Sequence, residues 1–394
     1  MAAELANVRN SSPDRNSGLY IHYPFCKSKC PYCSFHSFTR DDWISIYIEY
    51  LLAEIEKTSE FFDANFSNSD TIYFGGGTPS LMPPYYLEEI LNRLRQHNYF
   101  SLPWEKMEIT LEANPDNLES NFLKSIKSIG VNRLSIGAQR FNDNLLQIIG
   151  RNHRARDILS GYNKVRDAGF ENVSVDFILG VPGDNRASMI DELRILLGLK
   201  PEHISVYMLE IKEHTPYAER DASFFPDDNL TADLYLETAG ILTAAGYDHY
   251  EISNFALPGY KSRHNLKYWS AGQWLGLGLS AASCSGKARW VNPSNFKDYI
   301  ERIVSEEFTI PPIDSETDER KLSEEEFFMG MRKATGIDLT EFALRNGYDP
   351  LEDMDEEINQ YIEEGLIIKD DPPGHLRFTL KGFLVSNEIL CRFI

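Results

Sequence analysis

The chain has 394 residues with 60 acidic against 39 basic side chains, a formal net charge of −21, and 42% hydrophobic residues. That length suits one large domain with a smaller appendage, and the charge, with no local basic patch against it, sets nucleic acid aside as a partner. No stretch approaches the ~20 continuous apolar residues of a membrane span, and five cysteines, three of them in one loop, indicate metal usage in a reducing compartment rather than a disulfide framework.

Met1 to Ser17 is polar, lacks a hydrophobic signal core and is expected to be a disordered leader; Glu4, Asp14 and the weak amphipathic pattern argue against a mitochondrial presequence. Strands are expected at Leu19–Pro24, Thr71–Phe74, Met107–Glu112, Arg133–Gly137, Val173–Leu179 and His203–Leu209. Helices are expected between them at Trp43–Phe61, Tyr85–Gln96, Leu118–Ile129, Ala155–Ala168 and Arg186–Leu197. Such alternation demands parallel strands with helical crossovers, an α/β barrel or part of one, with fewer units than the eight of a closed barrel. A helix over Asp227–Ala245 and a strand over Tyr247–Ser253 follow, then a Gly-rich segment to Asn292. Ser305–Glu326 is acidic and proline-bearing, a linker. Beyond it, helices at Glu324–Lys333, Leu339–Asn346 and Leu351–Glu364 precede a hairpin of Leu366–Lys369 with Leu376–Leu380 across Asp370-Asp-Pro-Pro-Gly-His. That order resembles a small α+β winged-helix-like unit, whose Glu352, Asp353, Asp355, Glu356 and Glu357 oppose DNA binding and leave a lid or docking role. The expected division is a leader over 1–17, a barrel over 18–253, an extension over 254–304, a linker over 305–326 and the C-terminal unit over 327–394.

The chemistry-bearing residues follow the expected strands, at the end where barrel folds gather their sites. Cys26, Cys30 and Cys33 stand in a C-x3-C-x2-C spacing. Three thiolates can hold three irons of a [4Fe–4S] cube and leave the fourth open to a small molecule. A zinc site and three buried thiols compete, but structural zinc normally closes with four ligands. Phe74-Gly75-Gly76-Gly77-Thr78-Pro79 follows the second strand; glycines allow close backbone approach, although such a turn is often only a turn. Glu112 ends the third strand and could equally be a solvated loop carboxylate. Gln139 follows the fourth and can both donate and accept. Arg151 offers a planar fork, and Asp176 interrupts an apolar strand with a charge that needs a partner. His264, in Arg263-His-Asn-Leu-Lys-Tyr-Trp269, is a candidate metal ligand, with an ordinary hydrogen-bonded histidine as the bland alternative.

The cysteine loop, with Tyr32 between its last two thiols and Tyr20-Ile-His-Tyr-Pro-Phe before it, resembles that of the radical S-adenosylmethionine (SAM) superfamily. Within it the chain resembles the HemN/HemW branch, which holds oxygen-independent coproporphyrinogen III oxidases and heme chaperones, from about Leu19 to the C-terminal segment. The resemblance implies a partial (β/α)6 barrel, a [4Fe–4S] cluster on Cys26, Cys30 and Cys33, and SAM contacts from Gly76, Gly77, Thr78, Glu112, Gln139, Arg151, Asp176 and Tyr20, core packing being the rival account of Tyr20. H-N-x-x-Y-W resembles the motif that separates the chaperones from the oxidases, which implies heme at His264. The oxidases carry a further cysteine two residues after the third, where this chain has Phe35. The two features together favour a heme chaperone that retains the cluster and SAM over a porphyrinogen decarboxylase. The family also implies heme-acceptor proteins of the respiratory chain, cluster-dependent dimers, and cytoplasmic residence with peripheral membrane contact.

Overall fold

The structure is a computed structural model that describes residues 16–62, 68–100, 102–270, 272–285, 288–309, 319–352 and 354–392. Most of the expected leader, residues 310–318 of the expected linker and Asp353 of the acidic run lie outside the described residues.

In chain order the first part runs β1 (Gly18–Tyr23), α1 (Ile44–Phe62), β2 (Thr71–Gly76), α2 (Pro84–Gln96), β3 (Glu108–Ala113), α3 (Ser120–Ser128), β4 (Arg133–Gln139), α4 (Asp143–Ile148), α5 (Ala155–Asp167), β5 (Val173–Leu179), α6 (Arg186–Leu199) and β6 (His203–Met208). The strands β1 to β6 pair in that order, each parallel to the next. This is the expected strand–helix alternation, a radical SAM-type α/β barrel that stays open. Leu19, Ile21, Ile72, Phe74, Ile109, Leu111, Leu134, Ile136, Val173, Val175, Ile204 and Val206 are buried in the layer shared with the helices. Helix α2, for example, contributes Leu87, Ile90, Leu91 and Leu94 at helical spacing. The alternate residues, Tyr20, Tyr73, Glu112, Ser135, Asp176 and Tyr207, take the opposite face. A strand that looks apolar with one polar intruder is therefore a two-faced strand, and Asp176 belongs to a polar inner face.

The rest of the large domain runs α7 (Asp228–Ala244), β7 (Asp248–His249), β8 (Asn254–Ala256), α8 (Arg263–Trp269), β9 (Trp274–Leu277), β10 (Ala282–Ser285), β11 (Ala288–Val291) and α9 (Phe296–Val304). Here the expectation needs correction. The strand expected over 247–253 is only the two-residue β7, which pairs antiparallel with β8 just beyond it, and residues 254–304 divide between the two edges of one sheet, ordered β11-β10-β9-β1-β2-β3-β4-β5-β6-β8-β7. Strand β9 runs parallel to β1, while β8 is antiparallel to β6. One buried carboxylate ties the β9 edge to the barrel: Glu54 of α1 accepts from Gly278 N, Asn292 Nδ2 and Tyr299 OH, each at 2.7 Å, and pairs with Arg302 at 2.5 Å.

The C-terminal unit comprises α10 (Glu319–Gly330), β12 (Ile337–Asp338), α11 (Leu339–Asn346), α12 (Asp355–Glu363), β13 (Ile367–Lys369), β14 (His375–Phe378), α13 (Leu380–Leu384) and α14 (Ser386–Leu390). Its sheet is antiparallel, ordered β12-β14-β13, and includes the expected hairpin. Helix α10 begins inside the stretch expected to be linker, and α12 starts after a turn in which Leu351 N bonds to Asp349 Oδ1 at 2.9 Å. The unit has its own core, with Phe327, Phe342, Ile358, Ile367, Leu376 and Phe378 buried. Among the described residues no helix is long and apolar enough to cross a membrane.

Candidate functional site

Where the parallel strands end, the loops that follow them line a cavity of about 390 Å³, within the range of small-molecule sites. Its lining includes Cys26, Cys30, Cys33, Gly76, Gly77, Thr78, Glu112, Gln139, Arg151 and Asp176. Ten residues scattered over 150 positions of chain are thus brought to one place.

The three cysteines follow β1, are partly buried and form no disulfide. Backbone bonds shape their loop: Cys26 N donates to Phe38 O (2.9 Å), Phe38 N to Pro24 O (2.7 Å) and Cys33 N to Cys30 O (3.1 Å). Donors face the sulfurs, Thr78 Oγ1 to Cys26 Sγ at 3.4 Å and Arg151 Nη1 to Cys30 Sγ at 3.7 Å. A hydroxyl and a guanidinium directed at sulfur are donors that a metal-bound thiolate can accept. Among the described residues no three His, Cys, Asp or Glu side chains converge as ligands of a single metal ion; thiolates that each bind a different iron of a cube need no such convergence. The donor set fits a cluster.

The glycine turn after β2 is pinned. Gly76 has φ +111°, a left-handed conformation that side chains disfavour, and its N–H donates to Glu112 Oε2 at 3.2 Å. Gly77 N and Thr78 N donate to Tyr23 O and Phe25 O, both at 2.8 Å. With all three N–H groups engaged, the turn has none to offer an anion and suits a cationic ligand group instead.

Two carboxylates face the cavity. Glu112 also accepts from Tyr73 OH at 2.8 Å; burial, joined by repulsion from Asp176, pushes its carboxyl up to about 7 against the pull of Tyr73 and Gly76. Asp176 accepts from Ser135 Oγ at 3.1 Å, and burial pushes it up to about 6. A cation beside them would favour the ionised form of both.

Gln139 shows strain and an unmet need. It closes β4 with φ +67°, where the pairing with β5 changes register, and its buried Oε1 has no hydrogen-bond partner. A strained residue with an orphaned acceptor in a cavity wall is arranged for a ligand. Arg151 is held by Asn114 Oδ1 (2.6 Å) and Gly137 O (2.8 Å) as well as by Cys30. Directly after Gln139, Arg140 is fully buried between Asp184 (2.6 Å) and Glu192 (2.5 Å) and fixes the end of β4 against α6.

Two expected residues lie elsewhere. Tyr20 is behind the lining, its hydroxyl 3.0 Å from His22 Nδ1 and its ring stacked on Tyr73 at 6.2 Å. His264 is 1% exposed on α8, at the opposite, closed end of the barrel, beside the starts of β1 and β2. Its Nδ1 is 2.8 Å from Thr71 Oγ1 and its Nε2 is 2.9 Å from Tyr268 OH, so in this arrangement no ring nitrogen is open to a metal. Burial, then Lys267 and Arg133, push the imidazole down to about 3 and keep it neutral. Sequence reasoning missed Tyr73 and Arg140, which hold cavity-facing groups from behind the lining, and Asn114, which holds Arg151 and lines the cavity itself. Asn114 could have been suspected from its place two residues after Glu112; Tyr73 looks like any strand aromatic.

Residues 20–196 match the radical SAM superfamily, and residues 318–385 match the HemN C-terminal domain. The chain is similar to the heme chaperone HemW of Bacillus subtilis strain 168, 33% identical over 95% of this chain and 98% of that protein. It is similar to the heme chaperone HemW of Haemophilus influenzae, 32% identical over 95% and 97%. It is also similar to the radical S-adenosyl methionine domain-containing protein 1, mitochondrial, of Bos taurus, 30% identical over 99% and 92%. In structure it is similar to the coproporphyrinogen III oxidase HemN of Escherichia coli, with a TM-score of 0.81 and 22% identity over 100% of this chain and 93% of that one, a likeness of fold.

Proposed function

The chain belongs to the HemW family of the radical SAM superfamily, and from that premise we propose that it is a heme chaperone that carries a [4Fe–4S] cluster and SAM and passes heme to acceptor proteins. The observation that carries the reading is the gathering of Cys26, Cys30 and Cys33 with Glu112, Gln139, Arg151 and Asp176 around one cavity. On this reading the three cysteines would hold three irons of a cluster, which when bound would supply an open iron for SAM. The pinned turn at Gly76, Gly77 and Thr78, with Glu112 and Asp176, receives the ligand's positive groups. Gln139 offers its orphaned acceptor to a donor of the nucleoside, Arg151 pairs the ligand carboxylate, and Tyr20 acts from behind by fixing Tyr73.

Heme belongs to the same proposal, with His264 as the residue that would bind it. In that role His264 would give up its bonds to Thr71 and Tyr268. Acceptors in the respiratory chain, cluster-dependent dimers, and cytoplasmic residence with peripheral membrane contact extend the reading.

The alternative is an oxygen-independent coproporphyrinogen III dehydrogenase. Against it, Phe35 stands 65% exposed at the cavity lining where the oxidases have their further cysteine. After anaerobic cluster reconstitution, the protein is expected to bind heme stoichiometrically, to transfer it to an apo-acceptor, and to leave coproporphyrinogen III unchanged. Vinyl products from coproporphyrinogen would sink the chaperone reading.

A further inference from the structure

The H-N-x-x-Y-W segment is built into the barrel. Helix α8 is capped by Ser262 and docked on two carboxylates at the strand starts. Arg263 N and His264 N donate to Glu108 at 3.2 and 3.1 Å, while Arg263 and Lys267 each reach Asp70 at 2.6 Å. This fixes the His264 ring between Thr71 and Tyr268 and stacks it on Tyr73, with centroids 5.1 Å apart and planes 28° apart. On the far side of that ring, Tyr73 OH donates to Glu112, the cavity carboxylate.

Two glycines mark how closely this stack is fitted. A Cβ at Gly18 would stand 2.7 Å from Thr71 Oγ1 and 3.0 Å from His264 Nδ1. At Gly75 it would stand 2.9 Å from Tyr20 Cε2, 3.0 Å from Tyr73 Cε1 and 3.3 Å from Glu112 Cδ. The contacts under 3.0 Å are ones that real Cβ atoms essentially never show and the others are tight, so a side chain at either glycine would press on the stack.

We propose that His264 is a positioning residue of the cofactor site, fixing the Tyr73 ring so that Tyr73 holds the Glu112 carboxylate toward the cavity. The segment that distinguishes this chain from the decarboxylases then acts on SAM from the closed end of the barrel, whether or not it also meets heme. The proposal rests on the reading of Glu112 as a SAM ligand.

The test is SAM affinity by equilibrium dialysis on the full-length, cluster-loaded protein, with heme affinity measured separately. Tyr73→Phe and His264→Ala are each expected to weaken SAM binding about three- to tenfold, the loss of one positioning hydrogen bond, and His264→Gln to recover most of it. Tyr73→Phe keeps the ring and so guards against a mere folding defect. It should also move the pH midpoint of SAM binding upward, since Tyr73 is the donor that most lowers the Glu112 carboxyl; Tyr20, Arg133, Asp176, Tyr207 and Tyr268 are its other titratable neighbours. Wild-type SAM affinity in both variants, with loss in Glu112→Gln, overturns the positioning role alone. Wild-type affinity in Glu112→Gln overturns the ligand reading and this proposal together. Failure to bind heme in the unmutated protein bears on the chaperone reading and leaves this result intact.

Discussion

On the proposed reading, Glu112 serves as both wall and ligand. Burial raises its carboxyl to about 7, so near neutrality a cationic ligand would draw it toward the ionised form. The ionised form binds the cation, so affinity should rise with pH. SAM affinity of the cluster-loaded protein is expected to increase about tenfold per pH unit below 7 and to level off above it. Glu112→Gln should lower the plateau and flatten the slope, and a flat wild-type profile from pH 6 to 8 would refute the assignment. At this scale the sequence showed which residues have reactive chemistry, since cysteine spacing and strand-end carboxylates survive translation into three dimensions. It could not show that His264 would be buried with both nitrogens bonded, because that depends on Thr71 and Tyr268 meeting it across the fold. Nor could it show the left-handed φ at Gln139, which arises from a register change between β4 and β5.

The elements that position the site are held by buried charge as well as by apolar packing. Arg140 joins the end of β4 to Asp184 beyond β5 and to Glu192 on α6, donates to Ile178 O at 3.3 Å and lies over the Phe177 ring. Removing one member of such a group leaves uncompensated charge in a dry interior, which costs about 3–5 kcal/mol. Arg140→Ala is therefore expected to unfold at markedly lower urea than wild type, and its residual folded form to bind SAM poorly because Gln139 is the preceding residue. A midpoint within error of wild type would show that the carboxylates find other partners. The strands that bear the site were legible because an alternating pattern over six or seven residues is strong. The strands β8 to β11 were not, and β7 was read too long, since each spans two to four residues and owes its pairing to whichever barrel edge it reaches. The short α4, capped by Asn142 through Asn144 N and Leu145 N, was missed for the same reason.

Among the described residues the two larger hydrophobic cores meet at a seam. Ile252 N donates to Arg332 O at 2.9 Å and Ala334 N to Tyr250 O at 3.0 Å, forming a bridge between Glu251 and Lys333. Beside it Arg332 lies over Trp269 of α8, and Phe383 meets His249 edge-on. The C-terminal unit therefore abuts the β7–β8 edge and α8, and among the described residues none of it lines the cavity. A carboxylate sits in the seam. Glu251 is 0% exposed and burial raises it to about 7; Ser253, Asn254 and Trp269 temper the shift, but neither carboxylate oxygen has a well-formed hydrogen bond. Because its folded value exceeds the ordinary carboxylate value, the folded state binds more protons than the unfolded chain between about 4.5 and 7. Stability conferred by the seam must therefore decline as pH rises through that window and stay low above it. The loss is on the order of 3 kcal/mol, and it should be local, since only the seam is stressed while each core keeps its own packing. Hydrogen exchange across residues 320–390 should quicken between pH 6 and pH 8 beyond the intrinsic rate. Glu251→Gln, neutral throughout, should remove that excess, and equal excess in both proteins would place the junction's weakness elsewhere.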